Sequence, residues 1–198
     1  MVSGLTMDII LEDKRVKLEP LTLENYAHLI QIASEEKLIQ YSPSDIGSAA
    51  SLRNYVQQAL TQQTEEKSIP FIVYDKEKQA YAGCTRYMQI DKKNKVLHIG
   101  ATWIGKEFQG SGLNSHMKYL MLSYAFNQMG FEKVEFRIDE RNIASRKAVE
   151  KLGCLLEGIL RENVYLLDGH KRNTCCYGLL KSEWETKKRV PKGEPRWH

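Results

Sequence analysis

Gln109-Gly110-Ser111-Gly112-Leu113-Asn114 joins a strand-like segment to an amphipathic one, and the reading of this junction decides the fold. Ahead of it, Val96 to Ile104 is rich in β-branched and aromatic residues and short enough to be one strand. Behind it, Leu113, Met117, Leu120, Met121 and Tyr124 recur at three-to-four-residue spacing, which predicts a helix with one apolar face. Glycines at the mouth of a helix let backbone approach a ligand with no Cβ in the way. Unpaired N–H groups and the positive end of the helix dipole then make an anion cradle, suited to a pyrophosphate. A plain tight turn from strand to helix fits the same residues, so the junction needs a second signal.

That signal lies about thirty residues downstream. After the alternating segment Val134-Glu135-Phe136-Arg137-Ile138 comes Asn142-Ile143-Ala144-Ser145-Arg146-Lys147-Ala148-Val149-Glu150-Lys151-Leu152-Gly153. The two blocks together resemble the GCN5-related N-acetyltransferase (GNAT) superfamily, which carries Gln/Arg-x-x-Gly-x-Gly/Ala at the mouth of one helix and Asn-x-x-Ser/Ala ending in Lys-x-Gly on the next. Within it the chain is similar to the ribosomal-protein N-terminal acetyltransferase (RimJ/RimL-like) branch, through Tyr124-Ala125-Phe126 and Asp168-Gly169-His170-Lys171-Arg172-Asn173-Thr174. The resemblance runs in order from Arg15 to Trp184. It implies an α/β fold with a mixed, largely antiparallel twisted sheet. The strands before and after the central helix splay apart, and helices flank the sheet.

Outward from these blocks the elements follow by pattern. Val16 and Leu18 alternate with charged neighbours as in a first strand. Thr22 can cap a helix carrying Leu29, Ile30 and Ala33, with Leu21 and Tyr26 as a hydrophobic staple. A second helix begins near Ser48 and buries Leu52, Tyr55, Val56 and Ala59, which leaves Lys37–Gly47 as the irregular segment that can shape a pocket. Strands are predicted at Ile69–Tyr74, Tyr81–Ile90, Val96–Ile104 and Lys133–Ile138, and a short helix at Ile143–Leu152. Ile159–Leu167 and Lys171–Leu180 read as a hairpin, with Asp168-Gly169 in a type I′ turn. Ser182-Glu183-Trp184-Glu185 adds a last helical turn.

A length of 198 residues suits one domain, expected over 1–186, followed by a basic, poorly ordered tail at 187–198. Apolar content of 42% and charged content of 27% are those of an ordinary globular chain. No apolar run is long enough to span a bilayer and no secretory leader is visible, so the expected location is cytoplasmic. Cys84, Cys154, Cys175 and Cys176 lack metal-ligand spacing and read as reduced packing residues, the adjacent pair pointing to opposite faces of a strand. No metal site is expected, because His28, His116, His170 and His198 have no ligand-spaced partners. A net charge of +4 is mild, and a solvated tail accounts for Lys187-Lys188-Arg189 better than nucleic-acid binding does.

The resemblance also implies the site. Acetyl-CoA, as cosubstrate, would lie between the strands Val96–Ile104 and Lys133–Ile138. Its pyrophosphate would rest on backbone N–H groups of Gln109, Gly110, Ser111, Gly112, Leu113 and Asn114, and its pantetheine arm would pair with backbone of Thr102, Trp103 and Ile104. Asn142 would contact the arm or the neighbouring backbone, or simply cap its helix. Asn114 departs from the Gly or Ala usual in the family; it tolerates unusual backbone angles but puts closer helix packing there in doubt.

Acetyl transfer needs a neutral amine, a stabilised oxyanion and a proton for the departing thiolate. His98 stands where relatives carry a glutamate and is the first candidate base, on a strand face shared with Gly100, Thr102 and Ile104. Glu107 is the second. The tyrosine acid of many relatives is replaced by Val149, whereas Ser145 matches the serine assigned to the thiolate in the ribosomal-protein branch and also suits a local role at the helix cap. Tyr41 and Trp103 are candidates to wall the acceptor pocket.

The function implied is direct transfer of acetyl to a primary amine in a ternary complex. The acceptor is open between a protein N-terminus and a small amine, and so are the base, the strictness for acetyl and the oligomeric state, a homodimer included. The alternative is an acyl-CoA-binding module of the same fold with little catalysis, serving as sensor or partner subunit.

Overall fold

The computed structural model of the protein describes residues 9–187. The predicted basic tail at 187–198 lies outside these residues, apart from the backbone of Lys187. Eight strands form one sheet: β1 (Leu11–Glu12), β2 (Val16–Pro20), β3 (Ser68–Asp75), β4 (Ala80–Asp91), β5 (Val96–Ile104), β6 (Lys133–Asp139), β7 (Leu155–Tyr165) and β8 (Lys171–Leu180). Their spatial order is β1-β2-β3-β4-β5-β6-β8-β7, and every neighbouring pair is antiparallel except β5–β6. The helices are α1 (Ile30–Ala33), α2 (Ala49–Thr64), α3 (Leu113–Asn127), α4 (Ile143–Lys151) and α5 (Lys181–Lys187), with 3₁₀ turns at Tyr26–Leu29 and Lys106–Phe108. No helix among the described residues is long and apolar enough to cross a membrane.

Helices cover both faces of the sheet, so it buries two cores. On one face α3 lays Leu113, Met117, Met121, Leu122, Ala125 and Phe126 over Leu97, Ile99, Val134 and Phe136, with Val149 of α4 and Trp184 of α5 at the margin. On the other, α2 brings Leu52, Tyr55 and Val56 against Ile72, Cys84 and Trp103. Ser48 caps α2 by accepting from the Ser51 N–H, as a serine before an apolar stripe should. All four cysteines are buried and unbridged; Cys175 belongs to the α3-side core and its neighbour Cys176 does not.

Two local expectations are corrected. The first helix is much shorter than its apolar spacing suggested. Thr22 does cap the turn, accepting from the N–H groups of Glu24 and Asn25, but a 3₁₀ segment and the four residues of α1 follow. The β7–β8 connection is not type I′, since Gly169 alone takes a positive φ (+82°) while Asp168 does not. Leu166 O accepts from Gly169 N, and Leu166 N donates to His170 O, the pattern of a three-residue connection with glycine in the left-handed position.

Candidate active site

The site begins where a parallel pair comes apart. β5 and β6 are registered only at Val96↔Lys133, Leu97↔Val134 and His98↔Glu135. Beyond that rung β6 stays paired with β8 through Asp139, while β5 follows β4, and the two strands diverge into a V. A bulge re-aims β5 at this point. Cys84 opposes Trp103 and Arg86 opposes Gly100, so Thr85 faces two residues, Ala101 and Thr102, with Ala101 at φ +48°. Gly83 is fixed beside it, because a Cβ there would lie 2.0 Å from the Trp103 carbonyl oxygen.

The bulge overturns the predicted strand face. Leu97, Ile99 and Ile104 belong to the α3-side core, and Thr102 joins them, bonding Lys118 of α3; Trp103 and Ala101 belong to the α2 side. Regular alternation would have put His98, Gly100, Thr102 and Ile104 together. The extra residue shifts the phase, so His98 and Gly100 lie on the α2 face and Thr102 and Ile104 on the α3 face.

At the open end of the V the glycine loop behaves as a cradle. Gly110 and Gly112 take positive φ values of +71° and +87°, and no atom lies within 4 Å of where their Cβ atoms would be, so backbone conformation is what calls for glycine here. The N–H groups of Gly110, Ser111, Gly112 and Asn114 find no acceptor among the described residues, and that of Leu113 has only the Ser111 hydroxyl at 3.4 Å. Ser111 holds the loop by donating to Phe108 O (2.6 Å). Gln109 does not join the row: its backbone N–H donates to Lys106 O, and its side chain occupies Ile104 O at 2.9 Å. Its expected backbone contact to a pyrophosphate, and a role for the Ile104 carbonyl in pairing an arm, are therefore internally taken. Asn114 Oδ1 is buried without a partner.

His98 sits at the closed end, its Nε2 3.2 Å from Glu135 Oε2, with both side chains almost covered. Burial lowers the His98 pKa below the ordinary value; Glu135 pulls it up, and Arg137 and Lys133 push it down again. Glu107 lies apart on the exposed 3₁₀ turn, 66% accessible and 3.9 Å from Lys78 Nζ. Asn142 caps α4 by accepting from Ser145 N (3.1 Å), and the half-buried Ser145 hydroxyl makes no bond among the described residues. Tyr41 is tied down from two sides: Arg172 of β8 donates to its carbonyl (2.8 Å), and the Arg141 guanidinium lies 5.4 Å from its ring. The segment Lys37–Gly47 thus meets the last hairpin through Tyr41. Trp103 packs near Tyr55 in the α2-side core, its indole N–H buried without a partner.

Two buried cations were missed. Arg86, 7% exposed, lays its guanidinium 4.6 Å from the centre of the Tyr55 ring and has no carboxylate partner among the described residues. Lys118, 6% exposed, reaches from α3 into the V, its Nζ donating to Thr102 Oγ1 (2.8 Å) and lying 5.7 Å from the centre of the Phe136 ring. The sequence did carry a signal for Lys118. It stands at the i−3, i−4 and i−7 positions from Met121, Leu122 and Ala125, in the middle of the buried stripe. The predicted stripe was centred about a quarter turn away, with Leu120 and Tyr124, which are only partly buried.

Residues 15–155 match the family described as the acetyltransferase (GNAT) domain. A protein of Bacillus subtilis (strain 168) named as a ribosomal N-acetyltransferase, YdaF, is 34% identical over 99 residues, which span 50% of this chain and 53% of that one. Among solved structures, a GCN5-related N-acetyltransferase from Brucella melitensis superimposes with a TM-score of 0.82 at 26% identity, covering 91% of this chain and 82% of its own. Mycobacterium smegmatis RimJ, in complex with CoA-disulfide, gives 0.74 at 18% identity over 85% and 83% of the two chains, a likeness of fold.

Proposed function

The chain belongs to the acetyltransferase (GNAT) family, and from that premise we propose that it transfers acetyl from acetyl-coenzyme A to a primary amine within a ternary complex. The observation that carries the reading is the coincidence of a row of unsatisfied N–H groups at the α3 mouth with an unpaired strand edge leading from it into the V. The first suits a pyrophosphate and the second an extended amide-bearing arm. The CoA-disulfide bound by Mycobacterium smegmatis RimJ supports a coenzyme A site in this fold.

In this reading Gly110 to Asn114 hold the pyrophosphate, and the free edge around Thr102 and Trp103 pairs with the arm. The thioester then ends beside the last β5–β6 rung. The amine arrives over the opposite face, between Tyr41 and the β8 side, and His98 removes its proton. A histidine whose burial keeps it neutral at pH 7 is suited to that task. Glu107, on its exposed turn, serves only through water. The name of the YdaF relative favours a protein amine as the acceptor.

The test is coenzyme A release, with product mass, across peptides starting in Ser, Ala or Met, amino acids, polyamines and aminoglycosides. Release tied to peptides supports the reading. Release with none, while acetyl-coenzyme A still raises the Tm, points instead to an acyl-coenzyme A-binding module.

A further inference from the structure

Lys118 is a buried cation between β5 and β6 that the proposed reaction leaves without a task. Its ammonium lies between the two diverging strands, held by Thr102 of β5 on one side and facing the Phe136 ring of β6 on the other. Phe136 is the first residue of β6 beyond the last shared rung and Thr102 the fourth of β5, so the nitrogen sits inside the V toward its closed end. An arm anchored at the glycine loop and running inward presents its thioester there.

The groups packed around this nitrogen are mostly neutral. Thr102 Oγ1 accepts from it and shares a 2.7 Å hydrogen bond with Thr85 of β4, which in turn contacts Met121 of α3. Cys154, just after α4, is the titratable group that acts on it, and no carboxylate faces it among the described residues. A lysine ammonium has three N–H donors, and Thr102 takes one.

Building on the proposed acetyl transfer, we propose that Lys118 delivers the proton taken up by the coenzyme A sulfur as the thioester breaks. The acceptor nitrogen bonds to the carbonyl carbon, the C–S bond breaks, and its electron pair stays on sulfur. One Lys118 N–H proton moves to that sulfur, leaving a neutral amine that solvent reprotonates after release. The proton lost by the acceptor leaves separately through His98. Burial lowers the Lys118 pKa to about 7. A thiol titrates near ~8.5, so the transfer runs downhill, which it would not from an ordinary lysine near ~10.4. The neutral Ser145 hydroxyl has no such drive.

Binding and turnover test this separately. Between about pH 6 and 9, wild-type kcat should fall as pH rises through the Lys118 pKa, because the neutral amine has no proton to give. Lys118→Met should remove that alkaline limb and lower kcat by about 100-fold, with the KM for acetyl-coenzyme A changed less than about threefold. A wild-type kcat profile without that limb, or Lys118→Met turnover within twofold of wild type, overturns the assignment. Failure of acetyl-coenzyme A to raise the wild-type Tm instead removes the underlying acetyl-transfer reading. Thr102→Val, which keeps the lysine and cuts its anchor, should retain the limb and lose part of kcat; full loss of the limb in that variant would contradict the lysine as its source.

Discussion

Arg15 and Lys118 are both buried cations, and the fold surrounds them in opposite ways. Arg15 opens β2 beside Asp75 and bonds both that fully buried carboxylate and Glu77 (2.9 Å), while the same Asp75 oxygen also accepts from the backbone of Glu77 and Lys78. Lys118 meets one hydroxyl and an aromatic ring. A charge enclosed with its counter-charge locks two strands and a turn together. A charge enclosed without one lowers stability. The first arrangement is structural, and the second stands beside the proposed acyl-coenzyme A site.

Cutting the paired side gives the largest effect. Asp75→Ala leaves Arg15 with only a surface carboxylate and should cost about 3–5 kcal/mol in urea denaturation. Acetyl-coenzyme A affinity of the folded fraction should hold, since Asp75 lies two strands away from β5.

Lys118→Met should move stability the other way, by roughly 2–4 kcal/mol at pH 7, at about 1.4 kcal/mol per unit of pKa displacement. The sign follows from burial. The folded pKa of Lys118 lies below the unfolded one, so between about 7 and ~10.4 the unfolded chain binds a proton that the native protein does not. Wild-type stability therefore climbs with pH across that window, and the lead of the methionine variant should shrink toward pH 9. A less stable methionine variant would erase the contrast with Arg15.

Gly112→Ala should cost about 1–2 kcal/mol, because φ at +87° disfavours any Cβ, and should weaken acetyl-coenzyme A binding by moving the Gly112 and Asn114 N–H groups. The smallest effect concerns His98. Its folded pKa lies below the ordinary value, so the base is active above that lowered pKa and the rate falls as pH drops through it. Glu135 raises that pKa by its charge, so Glu135→Gln should carry the acid limb to lower pH by a fraction of a unit, as read from kcat/KM against pH.

Most of the frame was legible because it rests on local periodicity and turn chemistry. The apolar stripe of α2, the strand Val96–Ile104 and the glycine entry to α3 all lie at their predicted places. What escaped depends on relations between strands. A single extra residue at Ala101–Thr102 reverses the face of everything after it, and neither residue is a glycine that would advertise a bulge. Gly83, the residue that permits the close approach, sits on the partner strand. Lys118 escaped because a lysine on a helix usually reaches water; here the divergence of β5 from β6 gives it a cleft to enter. Gln109 was predicted by resemblance as part of the cradle, but its N–H closes the 3₁₀ turn before it.

The V between β5 and β6, with the loop at its mouth, is the proposed acyl-coenzyme A site. Amide hydrogen exchange with and without saturating acetyl-coenzyme A tests it most directly, because the N–H groups of Gly110, Ser111, Gly112 and Asn114 have no acceptor among the described residues. Slowed exchange is expected there and along Thr102–Trp103, with little change in β2 and β3. Protection confined to the cleft lined by Lys14, Arg15, Lys76 and His116, or none at either the loop or β5, would contradict it.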